Sequence, residues 1–157
     1  MPSLLELPPE LHLLIIAFLP PEDQLQVRLT STWFYRIVPA PSHRALLQIE
    51  TGTWARHLDL YTCRYCLRLR PACRFGQGML RRRRSRAGRD SHLRFCVECG
   101  LNPRQGMARY GPGAHIMLND RFYVVCLICR TFQPGATDRH GRHTSQCVNC
   151  WQQTRLD

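Results

Sequence analysis

Four C-x-x-C pairs govern what this 157-residue chain can become: Cys63/Cys66, Cys96/Cys99, Cys126/Cys129 and Cys147/Cys150. The spacers between them are 29, 26 and 17 residues. One such pair carries little information. Four in succession carry much more, because two thiolates on one tight turn reach one ion and two such turns complete a tetrahedral site. Zinc suits soft sulfur ligands and brings no redox chemistry of its own. Eight thiolates therefore predict two four-cysteine sites and two zinc ions. Pairing neighbours, Cys63/Cys66 with Cys96/Cys99 and Cys126/Cys129 with Cys147/Cys150, closes the shorter loops. The entropy difference is small, so an interleaved cross-brace stays open.

The residues around the pairs favour tight turns. Arg94 and Phe95 read as an extended approach to Cys96, with Gly100 free to adopt a left-handed conformation after Cys99. Arg121 to Val125 is β-prone and runs into Cys126, and Asn119-Asp120 is the turn expected before it. His140 and His143 form an H-x-x-H ahead of the last pair, but a solvated polar loop explains them better than ligation. Cys73 is left over and is expected as an unpaired buried thiol. A redox reading would want one C-x-x-C beside a βαβ pattern, and none is present. Nor is there a nucleophile with a positioned base, a phosphate-cradling glycine loop or a carboxylate pair.

Charge divides the chain. Residues 1–60 hold four arginines and six acids, while 61–157 hold 18 arginines, five acids and all nine cysteines. The first basic residue is Arg28, so no secretory n-region is expected. The longest apolar run, Leu13 to Leu19, is seven residues, against about 20 for a bilayer span. No membrane partner is expected, and the location expected is intracellular, in cytoplasm or nucleus. Thiols stay reduced there, which favours metal over disulfides. With 44% hydrophobic residues the chain is too apolar to be disordered throughout.

The N-terminal part reads as short helices. Pro8-Pro9-Glu10 fits a helix start, followed by Leu11, Leu14, Ile15 and Phe18 at helical spacing. Leu13, Ile16 and Leu19 occupy the flanks, so the helix is apolar almost all round and wants burial on several sides. Pro20-Pro21 ends it. Glu22-Asp23 opens a second helix with Leu25 and Leu29 on one face, and Trp33, Phe34, Ile37 and Val38 extend the pattern to Pro39. About 40 residues cannot enclose such a helix alone. Either the second part or a partner protein covers it.

Leu7-Pro8-Pro9-Glu10-Leu11, Ile15, Phe18-Leu19-Pro20, Asp23, Leu25 and Arg28-Leu29-Thr30-Ser31 resemble an F-box over roughly residues 3–40. Trp33-Phe34-Tyr35 resembles the aromatic ending of filamentous-fungal members, and Thr32 departs from the arginine or lysine more usual there. The resemblance implies a helical module that docks a Skp-type adaptor on a cullin scaffold. It assigns Leu7, Pro8, Leu11, Ile15, Leu19, Leu25 and Leu29 to the adaptor interface. The stretch from Tyr61 through Cys66 to Pro71, with Arg94 to Leu101, is similar to the cysteine-rich region that trails the F-box in such fungal proteins. The expected fold is a small α plus zinc-binding, irregular α/β chain. Its units are an F-box helical module at 1–45, a linker at 46–60, and a zinc-stabilised cysteine-rich domain with short hairpins at 61–157.

Arg81, Arg82, Arg83, Arg84, Arg86 and Arg89 form a basic run in the longest spacer. Like charges repel, so the plain expectation is a disordered, solvated loop; an import signal or a phosphate-binding patch is the sharper one. Two four-thiolate zinc sites contribute −4, leaving about +9 on the second part. No stacking platform or reading helix accompanies that charge. The leading function, implied by the F-box resemblance, is a non-catalytic substrate-recognition subunit of a Skp–cullin–F-box ubiquitin ligase, with an unknown protein as target of the zinc module. The alternative is a zinc-stabilised basic nucleic-acid-binding protein. A ligase acting through its own cross-braced zinc module is weaker, lacking the interior histidine usual there. The chain has no lysine at all, so a ligase could modify only its α-amino group. With few asparagines and isoleucines alongside, genomic base composition explains that bias better than selection against self-modification.

Overall fold

The structure, a computed structural model, describes residues 6–107 and 109–154. Residues 3–5 of the F-box resemblance, and the outer ends of the units 1–45 and 61–157, lie outside the described residues.

Prolines set the first two helices. α1 (Pro9–Ala17) and α2 (Pro21–Thr30) each carry proline in the first turn, where its missing N–H is no loss, and acids beside the positive helix end. The apolar pattern past Leu29 does not continue α2. Ser31 turns extended and caps a separate α3 (Thr32–Ile37), its Oγ accepting from Phe34 N–H at 3.2 Å. Ile16, Phe34 and Val38 form the small core of these helices, with Val27 and Ile37 against it. His12 is buried edge-on to Phe34. Arg28 donates to the Val38 carbonyl and lies over the Tyr35 ring at 4.1 Å.

The stretch expected as a linker, 46–60, is mostly helical. α4 (His43–Thr51) starts at a Ser42 cap, and α5 (Thr53–His57) follows Gly52. Leu46, Ile49 and Glu50 are buried at i, i+3 and i+4, so α4 turns one face inward against β1 and β2.

Beyond α5 the chain builds two antiparallel sheets. β1 (Leu60–Cys63) and β2 (Arg68–Pro71) form a hairpin with Cys63 opposite Arg68. Short 3-10 turns at Ala72–Arg74, Gln77–Met79, Arg82–Arg84 and Ser91–Leu93 lead to α6 (Val97–Leu101). A four-stranded meander follows: β3 (His115–Leu118), β4 (Arg121–Val125), β5 (Phe132–Thr137) and β6 (His143–Cys147), closed by α7 (Val148–Gln153). Asn119 and Asp120 both take positive φ, 49° and 59°, the two-residue primed turn that matches strand twist. No helix among the described residues is long and apolar enough to cross a membrane.

The cores are small and partly made of cysteine. Phe75, Met79 and Phe95 pack with Cys63 and Cys96; Val124 joins Cys126, Cys147 and Cys150; Val97, Ile116 and Val125 form a third cluster. Phe75 is 1% exposed. Phe75→Ala is expected to cost about 3–5 kcal/mol, read as a lower urea midpoint at unchanged slope. A midpoint that does not move would contradict its place in this core.

Candidate metal centres and apolar face

The eight paired cysteines meet in two groups. Cys63, Cys66, Cys96 and Cys99 form one, and Cys126, Cys129, Cys147 and Cys150 the other, with the sulfurs of each within 4.8 Å of one another. Neighbouring pairs thus share a centre, and no pair interleaves. All of them are free thiols.

Both centres are built the same way. The first pair of each sits on a turn leaving a strand: Leu67 and Arg130 follow the second cysteine with φ of 52° and 57°. Their N–H groups return to the carbonyls of Cys63 and Cys126, at 3.1 and 2.9 Å. The second pair of each opens a helix, with Cys96 at the N-terminal boundary of α6 and Cys147 at that of α7, where its sulfur also accepts from Cys150 N–H. The two halves are then tied alike, Cys96 N–H donating to Cys63 Sγ at 3.3 Å and Cys147 N–H to Cys126 Sγ at 3.4 Å. The sequence shows four identical spacings, but not that odd pairs are turns and even pairs are helix starts.

The donor set fits a tetrahedral thiophilic cation. A Zn–S bond of about 2.3 Å places tetrahedral sulfurs about 3.8 Å apart, and Cys129 and Cys147 Sγ are separated by 3.8 Å. A disulfide needs about 2.05 Å.

Titration points the same way. Bonds from the Cys66 and Cys96 thiols hold Cys63 far below the ordinary thiol range, while bonding to Cys63 and Cys66 drives Cys96 far above it. Burial, with the Cys63 and Cys66 charges behind it, pushes Cys99 up to about 11. In the second group burial pushes Cys126 up, but N–H bonds from Cys147, Cys129 and Ile128 outweigh it and hold the thiol at about 6. Its bond with Cys147, then burial, pushes Cys150 up to about 12. The Thr131 hydroxyl also holds the Cys129 thiol below its ordinary range. Some sulfurs in each group take negative charge while Cys96, Cys99 and Cys150 resist it, the conflict that a divalent cation removes. Arg70 lies beside the first centre, paired with Glu98 at 2.9 Å. Burial pulls its guanidinium down, and the neighbouring Cys66 thiol more than reverses that.

Several expectations around the centres need correction. Gly100 does not adopt the left-handed region; it lies inside α6, and a Cβ there would sit 2.5 Å from the Tyr110 ring and 2.7 Å from Phe95. It is required for close packing. Cys73 is exposed, not buried, because the Ala72–Arg74 turn carries it to the surface. His143, expected in a solvated polar loop with His140, instead begins β6 and stacks on Phe122 at 3.9 Å, while His140 lies in the exposed β5–β6 turn. Burial pushes the Tyr110 phenol up to about 12. Its neutral form is favoured by folding, so that contribution holds below about pH 10 and is lost as pH rises through about 12. Tyr110→Phe is expected to flatten melting temperature against pH across that window, and an unchanged alkaline slope would assign the loss elsewhere.

The arginine run is not a disordered loop. Arg82–Arg84 form a 3-10 turn, Arg83 pairs with Asp90 at 2.7 Å, and Arg84 reaches Met79 Sδ at 3.1 Å. Asp90 N–H donates to the Arg83 carbonyl at 2.8 Å, and a Cβ at Gly88 would clash with that carbonyl at 2.2 Å. Local acid, sulfur and carbonyl partners overcome the repulsion. Arg81, Arg82, Arg83 and Arg89 remain exposed.

At the other end, α1 buries only His12 and Ile16. Leu11 and Ile15 are 44% and 45% exposed, Leu29 65% and Phe18 89%. Pro8 is exposed, and Leu7, Leu19 and Leu25 are half-buried. Leu13, Leu14, Trp33 and Tyr35 add to the exposed apolar surface. So many exposed large apolar side chains on three short helices mark an interaction site.

Residues 4–44, covering α1 to α3 and the first residues of α4, match the F-box-like family model. No curated protein and no solved structure matches the chain. The chain therefore has an F-box-like helical region followed by a cysteine-rich region with short antiparallel strands and two possible metal sites. The F-box-like match supports binding to a Skp-type adaptor.

Proposed function

We propose that this protein is a substrate-recognition subunit of a Skp–cullin–F-box ubiquitin ligase, of the filamentous-fungal type. The observation that carries the reading is a coincidence of place. The exposed apolar face of α1 to α3 falls within the segment that matches the F-box-like family. Leu7, Pro8, Leu11, Ile15, Leu19, Leu25 and Leu29 form the adaptor contact, with Phe18 and Trp33 beside them, and the cullin is reached through the adaptor. The units are 1–45 for docking, 46–60 as the joint and 61–157 for the target.

In this reading each centre holds one zinc ion. Bound zinc supplies only cross-linking here, since four cysteines close its coordination. The chain performs no chemistry itself; it acts by holding a target near a ligase-bound conjugate, in cytoplasm or nucleus. Nucleic-acid binding has less support, because Arg84 and Arg86 are engaged within the chain. Co-expression with a Skp-type adaptor tests the reading: a stoichiometric complex is the expected result, and a chain that purifies free of the adaptor overturns it.

A further inference from the structure

Glu50 and Arg94 are 1% and 0% exposed and form an ion pair between α4 and the segment ahead of Cys96. Glu50 Oε1 accepts from Arg94 Nη2, and Oε2 accepts from Thr62 N–H at 2.7 Å. Arg94 is held from its other side too, its carbonyl accepting from Arg64 N–H at 3.0 Å and its Nη1 reaching the Arg84 carbonyl at 3.4 Å. Arg86 completes the joint. It donates to the carbonyls of Glu50 and Leu60 at 2.8 and 2.7 Å, and approaches Asp59 at 3.4 Å. Both guanidiniums lie over the Tyr61 ring, at 4.1 and 5.2 Å.

The two partners of the Glu50 carboxylate come from different places. Thr62 directly precedes Cys63, on the turn half of the first centre. Arg94 is two residues before Cys96, on its helix half. A buried carboxylate left without either partner is strongly disfavoured. It is satisfied only when both halves of that centre stand together. α4 packs against β1, β2 and the Ser91–Leu93 turn, all of the first centre's side.

We propose that Glu50, Arg86 and Arg94 are positioning residues that lock the cysteine-rich region onto α4, and that the lock closes only when the first cysteine centre is assembled. The second centre has no part in it. The cysteine-rich region is then anchored to α4 through the first centre's side. This inference rests on the metal reading given above.

The test uses the full chain, with metal content measured before anything else and amide exchange followed across residues 43–57. Cys66→Ser with Cys99→Ser is expected to speed exchange in α4 by about tenfold or more, while Cys129→Ser with Cys150→Ser leaves α4 unchanged. Glu50→Gln retains both metal ions and exchanges fast in α4 already. Adding the first-centre substitutions to it changes α4 no further, a non-additivity that simple loss of packing would not produce. Glu50→Asp restores part of the protection. The lock is overturned if α4 ignores loss of the first centre, if loss of the second opens it equally, or if the effects of Glu50→Gln and the first-centre substitutions add. A wild-type chain that carries no metal overturns the metal reading itself. One that carries metal but fails the exchange test overturns only the lock.

Discussion

A chelator is expected to collapse the cysteine-rich region while sparing α1 to α3. Structural zinc contributes about 10–16 kcal/mol of apparent binding energy in small peptides, more than the whole stability of an ordinary domain. Here the cysteines are themselves core residues, with Cys63, Cys96 and Cys126 fully buried. Losing the ions therefore removes both the cross-links and the packing they organise. The core of Ile16, Phe34 and Val38 contains no cysteine, so its helical signal should survive. Elemental analysis should give two zinc ions per reduced chain, and circular dichroism after chelation should lose strand and retain helix. A folded, reduced chain without zinc would sink this account. So would a chain whose strands outlast complete removal of the ions.

Leu11→Ala combined with Ile15→Ala is expected to abolish adaptor capture without unfolding the chain. Both side chains are roughly half exposed in the free protein, so truncation removes little of its own packing. Once a partner closes over them, each truncation costs about 2–5 kcal/mol. Two together weaken binding by about three orders of magnitude or more. Ile16→Ala is the contrasting control. Ile16 is 6% exposed, so its loss should lower the melting temperature of the helices instead. Undiminished capture by the Leu11/Ile15 double variant, measured by titration calorimetry with the adaptor, would remove the basis for the docking face.

The features legible in the sequence are those set by neighbours along the chain. Proline pairs place the starts of α1 and α2, Asn119-Asp120 makes the β3–β4 turn, and C-x-x-C spacing alone brings each pair of sulfurs to one side of a turn. Shorter loops favoured pairing of neighbours, and the structure brings neighbours together. What could not be read depends on residues far apart. Nothing local marks Glu50 as buried, because its partner Arg94 lies 44 positions away. The arginine run looked self-repelling because Asp90, Met79 and the Glu50 carbonyl, which receive its members, are invisible to a composition argument. Gly100 looked like a turn residue because its need for space comes from Tyr110. The helix at 43–51 was missed for the same reason: its buried face has only three members, and their cover comes from β1 and β2.

The separation between Glu50 and Arg94 also orders events in time. Residues 1–51 are made before residue 94, and ordered contacts over such distances come late even in a finished chain. Until then the Glu50 carboxylate must remain hydrated, with α4 only loosely placed. The small core of the docking helices, Ile16, Phe34 and Val38, is already complete in sequence at that stage. A nascent chain of this protein can therefore be captured by its first partner before it is able to hold anything in a fixed direction, and orientation is the last property it acquires.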